Sequence, residues 1–209
     1  MFGTHDLMLF VVSGFLLNIT PGADSLYIAT RSTSLGIKAG IIAAVGISVG
    51  CLFHVLAAAL GLSAILATSS LAFSIVKWLG AAYLIFLGLS FFWQKEKSQS
   101  KTTTVSTVST SLPAVFMQGF LTNVLNPKVA LFFLAFVPQF IDSTAQNKPM
   151  AFIFLGVIFT LNSALWCLSL AWFAARMSTI SVAQRTVQWL KRGVGTLFVF
   201  LGIRLAVTD

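Results

Sequence analysis

Gly14-Phe15-Leu16-Leu17-Asn18-Ile19-Thr20-Pro21-Gly22-Ala23-Asp24 decides the fold, because a second version of it returns later in the chain. The second reads Gly119-Phe120-Leu121-Thr122-Asn123-Val124-Leu125-Asn126-Pro127-Lys128. Each lies in a long apolar run and carries a proline and one full charge. Proline has no amide donor, and glycine lowers helix propensity. In hydrocarbon, the carbonyls freed by such a break need a partner in the protein or in a wet cavity. A charged side chain at that depth costs about 2.5–3.5 kcal/mol or more. Two interrupted apolar segments in corresponding halves point to a transporter binding site.

The rest of the chain agrees with a membrane setting. It has 209 residues, 57% hydrophobic and 9% charged, against about 25% charged in ordinary soluble domains. Mean hydropathy is +0.95. Net charge is +8, but the basic residues sit in short connections rather than in a sustained stripe. That distribution fits an anionic membrane surface and excludes nucleic acid as a partner. Cys51 and Cys167 lie in apolar runs and read as small hydrophobes. No Cys/His cluster has ligand spacing, so neither a metal nor a cofactor is expected.

Six windows reach the length of a span: Leu7–Ala29, Ala39–Leu66, Leu71–Trp93, Pro113–Ile141, Met150–Ala175 and Val187–Val207. Residues 94–112 form a polar Ser/Thr/Lys linker between halves 1–93 and 113–209. Residues 176–186 read as a short interfacial helix. Arg31, Lys38, Lys95, Lys97, Lys101, Arg176, Arg185, Lys191 and Arg192 follow the odd windows, which places those connections in the cytoplasm and both termini outside. Lys77, Lys148 and Arg204 lie near span ends on the other side, and Lys77 and Lys191 read as interfacial anchors. Lys77 to Phe86-Leu87-Gly88 resembles Lys191 to Phe200-Leu201-Gly202. Three spans per repeat force the halves into opposite orientations. The expected fold is therefore all-α, with six transmembrane helices in two inverted three-helix repeats and the first and fourth helices broken.

Asp24 is the sharpest site candidate, since a mid-span carboxylate faces a cavity or a partner. With Asn18 and Thr20 it is placed to hold an ammonium group or a coupling proton. Lys128 lies roughly 22 Å past Pro113 at helical rise, too deep to reach the near surface. It is expected to pair with Asp24 or with a substrate carboxylate, and the amides after Pro127 are expected to face an anion. Gly46, Gly50, His54, Ala57 and Gly61 form one stripe. As G-x-x-x-G it is a close-packing face, within the bundle or in a homodimer. As G-x-S-x-G around Ser48 it lacks the strand–turn–helix context of a nucleophile. His54 is either a hydrogen-bonded core side chain or, with Asn162 and Trp166, a pathway residue.

The Thr20–Asp24 segment, the Asn123–Lys128 segment and the Gly80–Gly88 stretch with Tyr83 and Leu84 together resemble the LysE/RhtB family of bacterial amino-acid exporters. The likeness runs through essentially the whole chain, in order and in length. The commonest first motif of that family reads Pro-Gly-Pro-Asp; here Ala23 replaces the second proline. The resemblance implies a multi-pass protein of the bacterial inner membrane that exports amino acids or close derivatives, driven by protons. Its motif positions fall on Pro21, Gly22, Asp24, Asn126, Pro127 and Lys128. The chain carries no Walker A pattern for ATP. A passive facilitator of small zwitterions is the alternative, and no enzyme activity is expected.

Overall fold

The computed structural model describes residues 2–64, 70–93, 111–142, 144–176, and 192–207 apart from 194, 197, 201, 204 and 205. The expectations for 94–110, for 177–186, for Lys95, Lys97, Lys101, Arg185, Lys191 and Arg204, and for the side chain of Lys77 lie outside the described residues.

Among the described residues the regular structure is helical, with one isolated bridge, Thr4 to Ile141. Helix α1 spans Leu7–Ile19 and α2 spans Ala23–Leu35, and the two meet at a 53° bend. Helix α3 runs Ile37–Leu62 and closes in a π turn, Ala58–Leu62. Helix α4 is Ser70–Trp93. Helix α5 is Leu112–Val124, bent 45° from α6, Pro127–Phe140. Helix α7 is Lys148–Arg176. Helical residues recur in 192–207.

Two helices, α3 and α7, are long and apolar enough to cross a membrane, and each bent pair counts as a further span if taken as one. Among the described residues that makes two to four spans of the expected six. Helix α4 coincides with the third window, Leu71–Trp93, and the sixth window is described only in part. The first window ends too early in the sequence reading. Its second half continues to Leu35 and carries Arg31 along the helix rather than in a connection.

Packing makes the breaks rigid. The α3 stripe faces α5: a Cβ at Gly50 would lie 2.8 Å from the Phe120 carbonyl oxygen and 2.9 Å from the Asn123 Cβ, and one at Gly46 would overlap the Phe116 carbonyl. The expected small-residue face is thus consumed inside the chain, and it no longer argues for a homodimer. A Cβ added at Gly61, in the same stripe, would meet no atom of the described residues within 4 Å beyond its own stretch of helix. Helix α7 runs antiparallel to α3. Thr160 lies beside Cys51 and Ala171 beside Gly40, so the order reverses along the contact. Helix α4 meets 192–207 the same way. Gly88 abuts Gly195 and Val199, while Gly202 abuts Ala81 and Ile85. Gly88 and Gly202, Ala81 and Gly195, and Ile85 and Val199 share one constant offset, so this contact is related to itself by a local two-fold axis.

Phenylalanine fills the centre. Phe10, Phe132, Phe136, Phe140, Phe152, Phe159 and Phe198 are all buried, with Phe132 stacked on Phe159 at 4.3 Å between ring centres. Leu60, Leu161, Leu165 and Phe173 on the outside are exposed, the inverse of a water-soluble surface and suited to lipid. Because its Cβ would strike backbone, Gly50→Ala should lower stability by about 1–3 kcal/mol. Gly61→Ala should leave stability unchanged or slightly raised. Thermal melting of the two purified variants in detergent checks the pair.

Candidate functional site

Each break frees a carbonyl, and each freed carbonyl has a basic side chain on it. In a continuous α1 the amide of residue 21 would bond the Leu17 oxygen. Residue 21 is proline, so that oxygen loses its donor. The Lys128 ammonium takes the place, donating to the Leu17 oxygen and, at 3.0 Å, to the Thr20 oxygen. In a continuous α5–α6 the amide of residue 127 would bond the Asn123 oxygen, and residue 127 is also proline. There His54 Nε2 donates at 3.1 Å, beside the Asn126 amide at 2.9 Å. The tautomer follows, since a carbonyl only accepts.

Asp24 stands in the first turn of α2, where the positive end of the helix dipole favours a carboxylate. Its Oδ2 accepts from Asn123 Nδ2 at 3.0 Å and from Asn126 Nδ2 at 3.1 Å. Asn126 uses both ends of its amide, because its Oδ1 also accepts from the Lys128 backbone amide at 3.0 Å and caps α6. The break in one half thus holds the acid of the other. Thr20 closes α1 on its own oxygen: its hydroxyl donates to the Leu16 carbonyl at 2.8 Å.

The sequence places Lys128 opposite Asp24 or a substrate carboxylate. In the structure its ammonium sits on carbonyls, and no carboxylate lies within 4.0 Å of it among the described residues. Asp24, Lys128, Asn18, Thr20, Gly22 and Asn126 line one cavity with Leu17, Ser25, Val129, Phe159, Ser163, Trp166 and Cys167. Its volume is about 20 Å³, room for about one water and far below the ~300 Å³ and more of a small-molecule pocket. Three buried polar atoms of its lining residues have no hydrogen-bond partner among the described residues: Asp24 Oδ1, Asn18 Nδ2 and Trp166 Nε1.

The other expected residues divide. Pro21 and Pro127 shape the breaks without lining the cavity, and Asn123 stands behind Asp24. Trp166 faces the cavity, whereas Asn162 Nδ2 donates to the Val11 oxygen at 3.1 Å and ties α7 to α1. His54 is a buried capping donor stacked on Phe133, outside the Asp24 cavity. It lines a separate apolar groove between the π turn Ala58–Leu62 and a second π turn, Phe132–Phe136, inside α6. Sequence reasoning missed Gln118, whose Oε1 accepts from Arg31 Nη2 at 2.8 Å and joins α2 to α5. It also missed Phe159 and Ser163, since nothing in a uniformly apolar α7 marks which side faces the break.

The model of the LysE type translocator family matches residues 15–209. The chain belongs to that family. It is 33% identical to the uncharacterized membrane protein YrhP of Bacillus subtilis, over 98% of this chain and all of that one. It is 31% identical to the uncharacterized membrane protein PA4757 of Pseudomonas aeruginosa, over 98% and 96% of the two chains. It is 29% identical to the leucine efflux protein of an Enterobacter species, over 98% and 97%. No solved structure matches the chain significantly. With these relatives and its apolar helices, the protein is a multi-pass membrane protein.

Replacing Asn126 separates its two tasks. Asn126→Ala should lose cap and donor together, about 1–3 kcal/mol. Asn126→Asp keeps the cap but sets a second carboxylate against Asp24. Melting at pH 5 and pH 8 reads the difference: the Asp variant should gain stability at the lower pH, where the pair can share a proton, more than the Ala variant does.

Proposed function

We propose that this translocator is a secondary transporter of the bacterial cytoplasmic membrane that exports small neutral amino acids in exchange for protons. The observation that carries the reading is the crossed break. Two half-helix ends, one carboxylate and one ammonium converge on a cavity with unpartnered polar atoms, inside a bundle whose outer face is apolar. A zwitterion needs both signs of charge close together and shielded from lipid, and broken helices provide them near the midplane.

Asp24 Oδ1 is the free acceptor for a substrate ammonium or a coupling proton. The amides that open α6 after Pro127 suit a carboxylate. Leu17, Val129 and Phe159 offer an apolar wall, and the name of the leucine efflux relative supports an aliphatic side chain there. With about 20 Å³ the cavity is closed around itself, so loading requires the half-helices to part. Six spans in two inverted repeats would let one half rock against the other. The antiparallel packing of α3 on α7 and the two-fold contact of α4 with 192–207 support that architecture.

Proteoliposomes test it. An imposed proton gradient should drive leucine uphill by at least about tenfold over equilibrium, and Asp24→Asn should abolish accumulation while the protein stays folded. Leucine movement that only equilibrates, whatever the gradient, points to a passive facilitator. A panel of labelled amino acids that all fail to move removes the substrate class.

A further inference from the structure

We infer that the Lys128 ammonium occupies the seat of the substrate's own ammonium group, so that the empty carrier is closed by an internal competitor which the substrate displaces. The inference rests on the amino-acid reading above and specifies how the site receives its ligand.

The seat is made of the Leu17 and Thr20 carbonyl oxygens at the C-terminal end of α1. It exists only because Pro21 withholds an amide. A helix C-terminus concentrates partial negative charge, which suits a cation. Lysine presents a compact ammonium with three donors on a flexible stem, and an α-amino acid presents the same group. Two donors are used on the carbonyls. Asp24 Oδ1, unpartnered in the same cavity, is the acceptor left for an arriving ammonium.

Space makes the two ammonium groups mutually exclusive. The cavity holds about 20 Å³ with Lys128 in place, too little for a second ammonium and its carbon. The Lys128 stem crosses Gly22, where an added Cβ would lie 3.8 Å from Nζ and 4.0 Å from Cδ. Both are ordinary contact distances, so the stem passes Gly22 without crowding.

The consequence is opposite to that of a lysine that simply holds the carboxylate. Removing an internal competitor raises apparent affinity, because the binding-competent fraction rises. Radiolabelled leucine binding to purified full-length protein should tighten about tenfold in Lys128→Met, which keeps the stem and drops the charge. Methylammonium should raise the melting temperature of Lys128→Ala saturably and leave the wild type unmoved, since only the variant has an empty seat. Leucine binding that weakens in a folded Lys128→Met overturns the inference and makes Lys128 a carboxylate ligand. A Lys128→Ala protein that melts or misfolds identically with and without methylammonium overturns it as well. The methylammonium readout does not depend on leucine being a substrate. Its success beside a wild type that moves no amino acid would locate the fault in the proposed substrate instead.

Discussion

A proline inside a membrane helix leaves the carbonyl four residues before it without a donor, and hydrocarbon offers no water to replace one. Everything distinctive in this protein follows from two such carbonyls. The Leu17 oxygen is taken by Lys128 and the Asn123 oxygen by His54. The donors come from other segments of the chain, so each break ties together helices that the linear order keeps apart. Lysine and histidine would each be costly in lipid; Lys128 gives the Leu17 oxygen a donor, and His54 adds a second donor to an Asn123 oxygen that also accepts from the Asn126 amide. The cost of the charge and the cost of the break are met by one contact.

The charges also match the helix ends they approach. Asp24 opens α2 and Lys128 rests at the end of α1, so each sits at the dipole end that favours it. Asn123 and Asn126 then bind Asp24 to the second break. Their positions are set by α5, which α3 holds at backbone distance. The site is therefore built on rigid helices although its members are irregular backbone, which is how such a site keeps sub-ångström geometry.

Much of this was legible in the residues. The doubled phrase located both breaks, and Asn123, Asn126 and Asp24 were named together before their contact was visible. Pro21 announced freed carbonyls, because the rule that a proline withholds its amide is local. What answers an orphan is not local. Lys128 could have met a carboxylate or a carbonyl with equal economy of sequence, and the carbonyls won because they were nearer and unpaired. His54 stood between a hydrogen-bonded core side chain and a pathway residue, since a histidine in an apolar stripe carries no sign of its acceptor; that acceptor is the Asn123 oxygen. Asn162 was ambiguous for a related reason: a lone amide in an apolar helix does not say which neighbour it ties, here the Val11 oxygen. Hydropathy alone set the first window too short, because α2 outruns it to Leu35, whereas α4 keeps to its window, Leu71–Trp93.

The glycines of α3 bear on how the protein would answer a mutational survey. Gly46 and Gly50 never approach the cavity, yet a methyl group at either would press on the backbone of α5 and shift the amides that grip Asp24. In a screen scored by growth alone, these positions would be indistinguishable from true ligand contacts. A map of sensitive residues would then draw a binding site one helix too wide, spilling across a seam that does not line the Asp24 cavity.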